Sequence, residues 1–246
     1  MTVRKLKAEG ELISHEFAFC FRALGLSQVT QLGKLVFKAY NANYGLVVVK
    51  LAQSRIGKMQ LNQESLFLSN HPSPHWPTLH DSGCHNGISW IMTEYVAGET
   101  LSATPYSERL KLLKQLEHCL QECHSTGYIH GDIKPDNILV TPNHLLYLVD
   151  FGSVLPIDCP FSQLETSSWS RGYTSPFMEK RIGKVEKSYD YYALALSLSM
   201  STNIDGLHHI NSEKAPYFSA LPARYQHLVL SHLNHTKRLS TLKSNA

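Results

Sequence analysis

Short apolar runs fill roughly the first ninety positions of the chain, and an apolar period of three to four residues takes over after position 98. The runs LVFKAYN (35–41) and LVVVKLA (46–52) are rich in β-branched and aromatic residues and are split by NANYG, which predicts a hairpin. ISWIMTEYV (88–96) follows the turn signal HNG and predicts a further strand. Between them, QLNQESLFLSNHP (60–72) carries Leu61, Leu66, Phe67 and Leu68 and stops before His71–Pro72, as one short helix would. Residues 1–93 therefore read mostly as strands.

The second texture is helical. Thr104–Pro105 opens a helix, with proline in the first turn, where its missing N–H costs nothing. Leu110, Leu113, Leu116, Leu120 and Cys123 then recur on one face, and Gly127 closes the helix. HLLYLVD (144–150) predicts a short buried strand. YDYYALALSLSM (189–200) is apolar nearly all round and predicts a buried helix. The change of texture near EYVAGET marks a boundary between a region 1–93, a connection 94–98 and a region 99–246. Only 46 residues follow Met200, so the later helices are expected to be few or short.

Composition narrows the class. The chain has 246 residues, 43% of them hydrophobic and 17% charged, which suits a folded protein. A formal net charge of +3 is too small and too scattered to argue for nucleic-acid binding. Five cysteines form no paired framework, and Cys119 and Cys123 fall on one helix face as core residues do, so the chain reads as reduced and cytoplasmic. The basic start MTVRKLKAEG is followed by no apolar signal segment, and no run approaches the roughly 20 apolar residues of a membrane span. The pair in LHHI (207–210) reads as a solvated turn rather than a metal site.

The chemistry is concentrated in YIHGDIKPDNILV (128–140) and in the DFGS that follows at 150–153. A strand of aliphatic residues lies between two clusters of oxygen ligands. Mg²⁺ takes few protein ligands, mostly carboxylate or amide oxygens, with phosphates and water completing its octahedron, and Asn137 and Asp150 supply such oxygens. Asp132, five residues before Asn137, is placed to orient a hydroxyl. Lys50 ends the run LVVVK, where an ammonium is poorly solvated unless an anion meets it. Glu64, the sole acidic residue between Lys50 and Asp81, and a nucleotide phosphate are the two candidates.

These residues resemble the eukaryotic-like Ser/Thr protein kinase family. His130-Gly131-Asp132-Ile133-Lys134-Pro135-Asp136-Asn137 is similar to the H-R-D-L-K-x-x-N catalytic loop, Asp150-Phe151-Gly152 to D-F-G, and Val47-Val48-Val49-Lys50 to V-A-I-K. Thr93-Glu94-Tyr95-Val96 resembles the hinge, with Thr93 as gatekeeper. RGYTSPFMEK (171–180) resembles the end of the activation segment, Asp190 the anchoring aspartate of the buried helix, and Arg238 the terminal arginine. The resemblance runs over 22–241 and implies a two-lobed α+β fold, with a β-rich N-lobe carrying one helix and a mainly α-helical C-lobe. It implies ATP and Mg²⁺ as cofactors and a protein substrate with Ser or Thr. Asp132 would accept the substrate proton, Lys134 stabilise the transferred phosphoryl group, Asn137 and Asp150 hold Mg²⁺, and Lys50, fixed by Glu64, hold the α- and β-phosphates. Backbone groups of Glu94 and Val96 would meet adenine, and Gly33 is what remains of the glycine-rich loop.

The departures matter. Gly25 and Gly33 are the two glycines between Ala23 and Lys38, and Gly33 sits one position off the third family glycine, which predicts low nucleotide affinity or a loop that closes differently. Gly131 stands where the family has the arginine that receives an activation-segment phosphate, so constitutive activity or control by a regulatory protein partner is expected. On that ground, replacing the hydroxyls from Ser162 to Thr174 is expected to change activity little. Phe177 stands in place of the A-P-E glutamate, with Glu179 as a substitute partner for Arg238. H-G-D is also the spelling of aminoglycoside and choline kinases, which keeps a small-molecule phosphotransferase as an alternative. The sparse glycines keep a pseudokinase or scaffold as another.

Overall fold

A computed structural model describes residues 15–165, 170, 172–199 and 217–244, the side chains of 15, 16 and 235–244 excepted. The chain divides into two compact units, 1–97 and 98–246.

The first unit begins with α1 (His15–Ala23), a helix not expected from the sequence. It continues through β1 (Leu26–Gly33), β2 (Val36–Asn41), β3 (Gly45–Ala52), α2 (Arg55–Asn70), β4 (Leu79–His85) and β5 (Ile88–Glu94). The strands form one antiparallel sheet in the order β1-β2-β3-β5-β4. Strand alternation sends Val47, Val49 and Leu51 of β3 and Ile88, Trp90 and Met92 of β5 into a core shared with Cys20 and Phe21 of α1. The other parity packs Ala52 and Ile91 against Leu61 of α2. Lys50 belongs to this second set, so its side chain leaves the sheet on the face that α2 covers.

Local chemistry fixes the connections. The two-residue link Asn86–Gly87 between β4 and β5 has both φ angles positive, as the hairpin turn matching strand twist requires. Between β2 and β3, Asn41 accepts the Asn43 N–H at 2.9 Å and donates to the Leu24 carbonyl at 3.1 Å, tying the hairpin to the end of α1. The α2 helix starts five residues earlier than the apolar run suggested because Ser54 caps it, its hydroxyl accepting the Gly57 N–H at 3.1 Å.

The second unit holds β6 (Glu99–Thr100), α3 (Tyr106–Arg109), α4 (Leu113–Ser125), β7 (Tyr128–Ile129), β8 (Ile138–Val140), β9 (Leu146–Leu148), β10 (Leu155–Pro156), α5 (Pro176–Glu179), α6 (Ser188–Ser199) and α7 (Ala223–Ser244). A three-stranded sheet runs β6-β8-β9, and β7 pairs with β10. The single helix expected from Thr104–Pro105 is broken by a 3-10 turn at Leu110–Leu112; of the predicted stripe, Leu110 in that turn is half-buried, while Leu113, Leu116, Leu120 and Cys123 of α4 are buried together with Cys119. Burial raises the Cys119 thiol to about 12, so it stays protonated and behaves as a small apolar group. Every residue of α6 except Ser188 and Tyr191 is buried. Its Ser197 and Ser199 hydroxyls satisfy themselves by donating to the carbonyls of Ala193 and Ala195 at 2.8 Å.

Candidate active site

In the first unit, the Lys50 ammonium donates to both oxygens of Glu64, at 2.8 and 2.9 Å. Glu64 is buried on α2 and the Lys50 side chain is 17% exposed. Strand parity and the capped start of α2 together set this pair. Of the two anions that could meet Lys50, the carboxylate is in place. Glu94 ends β5, its backbone N–H donating to Thr78 and its carboxylate accepting the Thr78 N–H. Thr93 and Val96 are buried. Gly33 ends β1 opposite Val36, and the positive φ of this turn falls on Leu35, not on the glycine. A Cβ at Gly33 would meet only Val36, at 3.9 Å, so neither φ nor a close contact demands a glycine there.

In the second unit, the loop after β7 is suspended from α6. The buried Asp190 carboxylate accepts the backbone N–H groups of His130 at 2.8 Å and Gly131 at 2.9 Å, and it meets Nε2 of His124 at 2.8 Å. Burial pushes the Asp190 carboxyl up, but the His124 hydrogen bond and charge, with the Gly131 N–H, outweigh it, so the group sits below its usual range and is ionised. His130 is fully buried against the Phe151 ring, its Nε2 at 3.1 Å from the Val149 carbonyl. Burial lowers its basicity against the opposing pull of Asp190, Asp132 and Asp150, so it is a neutral structural imidazole.

The anchored loop presents its polar groups in a fixed array. Lys134 Nζ donates to Asp132 Oδ2 at 2.8 Å. The amide nitrogen of Asn137 donates to the Asp132 carbonyl at 2.8 Å and to Oδ2 at 3.1 Å. The Asn137 carbonyl and the Val149 N–H, 3.0 Å apart, join this loop to the segment carrying Asp150. Asp150 has φ 71°, a left-handed conformation that is uncommon for a non-glycine residue and that turns the chain into Phe151-Gly152-Ser153. Asp136 is exposed and accepts from Ser102. Buried Arg109 supports that side of the loop, donating to the carbonyls of Ser102, Thr104 and Ser197 at 2.9–3.1 Å.

Two features escaped the sequence reading. Ser170 was counted only as one of several loop hydroxyls. Its N–H donates to Asp132 Oδ1 at 2.9 Å, and its hydroxyl accepts from Lys134 at 2.6 Å. Ser170 is thus bonded to Asp132 and Lys134, a contact that the expectation for the hydroxyls from 162 to 174 does not include. Gly131 was read as a missing arginine. Its φ is +77°, and a Cβ there would lie 2.3 Å from the Ser153 carbonyl, so this backbone admits no side chain at all. Ser175 also bonds, its hydroxyl 3.0 Å from His232 Nδ1 on α7. Thr166, Ser167, Ser168, Met200, the LHHI pair and the side chain of Arg238 lie outside the described residues.

A lysine–glutamate pair on strand and helix lies in one unit, and an Asp-Lys-Asn loop joined to Asp-Phe-Gly lies in the other. The chain belongs to the protein kinase family: residues 31–241 match the protein kinase domain. It is similar to the serine/threonine-protein kinase PknD of Mycobacterium tuberculosis, 29% identical over 62% of this chain and 24% of the relative. It is also similar to PknH of Mycobacterium bovis, 27% identical over 65% of this chain and 28% of the relative. A probable serine/threonine-protein kinase of Clostridium perfringens is 29% identical over 56% of this chain and 21% of the relative. The matches span about a quarter of the length of these relatives. Family membership implies ATP as phosphoryl donor and a divalent metal. No described helix is long and apolar enough to cross a membrane.

Proposed function

We propose that the chain transfers the γ-phosphate of ATP, with Mg²⁺, to Ser or Thr hydroxyls of a protein. The observation that carries this reading is the array on Asp132. Asp132 Oδ2 is held by Lys134 and Asn137, and Oδ1 by the Ser170 N–H, so the carboxylate has one orientation from which to accept a hydroxyl proton. Lys134, 22% exposed on its side chain, neutralises charge on the transferred group. Lys50, aligned by Glu64, takes the α- and β-phosphates. The backbone of Glu94 and Val96 takes adenine, and Gly33 lies at the phosphate loop. In this reading 1–93 is the N-lobe, 94–98 the hinge and 99–246 the C-lobe.

The donor set fits Mg²⁺. The Asn137 amide nitrogen is committed to Asp132, which leaves its carbonyl oxygen as the atom for a cation, and Asp150 adds a carboxylate. Asn137 and Asp150 would hold the ion, which when bound would supply charge neutralisation for the phosphate oxygens.

A steric bar to any side chain at residue 131 supports control by a regulatory protein partner rather than by a phosphate on the activation segment. The reading includes a cytoplasmic location and no nucleic-acid partner. The H-G-D spelling favours a small-molecule acceptor, but Ser170, from the segment that precedes TSPF, is seated on Asp132 and Lys134, which supports a protein acceptor. The test is transfer from labelled ATP to a generic protein acceptor against transfer to aminoglycosides or choline. Label on the small molecule alone would replace this reading with the other.

A further inference from the structure

The second unit contains a cavity of about 570 Å³ between α4, the start of α6 and the first turns of α7. Its size falls in the range of small-molecule sites, roughly 300–1,000 Å³. None of its lining residues belongs to the array on Asp132.

Part of the lining is apolar: buried Tyr225 and half-buried Tyr191 and Leu228. Tyr191 and Tyr225 meet edge-on with ring centroids 6.4 Å apart, and Leu228 lies beside them. The tyrosine hydroxyls are already engaged: Tyr225 donates to Glu117 at 2.6 Å, and Gln121 bonds Tyr191. These rings therefore offer carbon surface, and a polar guest placed on them would lose hydration without gaining partners.

The rim is polar. Glu117, the acid in the lining, is bonded to both Arg224 and Tyr225. Lys187 is exposed at the rim. The first turn of α7 carries no acidic residue, so the positive end of that helix adds to the same field. With Arg224 paired to Glu117, Lys187 is the charge this lining offers to a guest, and an apolar floor beside it suits a molecule with an apolar body and an anionic head.

We propose that this cavity binds an anionic, largely apolar small molecule, with its apolar body against Tyr191, Tyr225 and Leu228 and its anionic group at Lys187. The site lies close to the support of the catalytic loop. Tyr191 meets the His124 ring edge-on at 5.3 Å, and His124 bonds Asp190, which holds the His130 and Gly131 backbone.

The probe is 8-anilinonaphthalene-1-sulfonate, titrated into the full chain and followed by fluorescence. A neutral analogue, N-phenyl-1-naphthylamine, runs in parallel. The expected result is saturable one-site binding of the sulfonate, at least about tenfold tighter than the neutral probe, which corresponds to roughly 1.4 kcal/mol. Leu228→Trp, which fills the cavity, and Lys187→Glu, which reverses the rim charge, should each weaken sulfonate binding about tenfold or more while the unfolding transition stays cooperative. Should Leu228→Trp not fold, Ser231→Trp on the same wall serves in its place. Non-saturating fluorescence, equal affinity for the neutral probe, or wild-type binding in both the filled and the charge-reversed proteins would overturn the proposal.

Discussion

Replacing Ser170 by alanine separates the structural account from the reading of the sequence alone. The hydroxyl accepts a 2.6 Å hydrogen bond from Lys134, whose other bond goes to Asp132 Oδ2. A hydrogen bond to a charged group contributes about 1.5–3 kcal/mol. The Lys134 side chain is 22% exposed, so water makes good part of the loss, and the lower end of that range applies. About 1.4 kcal/mol is a factor of ten in rate. Ser170→Ala should thus lower kcat roughly tenfold. The Ser170 N–H still holds Asp132 Oδ1 in this variant, so the base keeps its orientation and the loss stays finite. KM for ATP should be unchanged, because no contact to Lys50 or Glu64 is touched. Ser170→Thr restores the acceptor and should restore most of the rate. Ser170→Asp places a second carboxylate on Lys134 beside Asp132 and should be worse than alanine. The assay is steady-state transfer from labelled ATP with KM and kcat separated. A wild-type kcat for Ser170→Ala, or a threonine variant no better than alanine, would refute the reasoning.

Three other outcomes follow from the same geometry. Lys50→Met removes the charge that Glu64 aligns; calorimetry should show nucleotide binding weakened about ten- to a hundredfold, and an unchanged affinity would remove Lys50 from the site. Gly131→Ala forces a Cβ onto the Ser153 carbonyl at a left-handed φ, a conformation that alone costs about 1–2 kcal/mol, so denaturant unfolding should show at least that destabilisation, and full stability would show that the loop shifts freely. His130 has a folded pKa below its ordinary 6.5, so the unfolded chain binds the extra proton first; stability should be full above about pH 6.5 and decline as pH falls below it, with Asp190 adding a further loss below 3.8. Thermal unfolding between pH 8 and 5 checks this, and a His130→Gln protein with the same slope as the wild type would contradict it.

The legible part of the fold was the part set by local pattern. The β2–β3 hairpin, the buried stripe of α4 and the all-round apolar α6 were readable because each buries what its own period dictates. α1 and β1 were missed for a physical reason. β1 alternates poorly, with six of its eight residues exposed, so no period-two signal exists in LSQVTQLG. The helix α1 has its apolar residues spread round much of its circumference, Phe19 exposed and Cys20 and Phe21 buried. β4 reads LHDSGCH, with Leu79 alone packed against the core, and is defined by its pairing with β5. The candidate site was legible in its residue types but not in its supports. Asp132, Lys134, Asn137 and Asp150 stand in one short stretch of chain, whereas Ser170 reaches Asp132 across 38 residues and Arg109 reaches Ser197 across 88. A run of hydroxyls has no pattern that distinguishes the one that bonds a lysine. The conformation of Gly131 likewise belongs to its tertiary setting, since nothing in HGD says whether the glycine replaces a side chain or excludes one.

The central claim is that this array transfers phosphate from ATP to a protein hydroxyl. The direct measurement is label transfer from γ-labelled ATP with Mg²⁺ to a generic protein acceptor, by the wild type, Asp132→Asn and Asp150→Asn, with ATP binding measured on the same preparations. The account predicts label on Ser or Thr for the wild type. It predicts none for Asp132→Asn, which should still bind ATP, and none for Asp150→Asn, which should lose the Mg²⁺-dependent part of binding. A wild type that binds neither ATP nor ADP with Mg²⁺, or an Asp150→Asn protein that transfers at the wild-type rate, would contradict it.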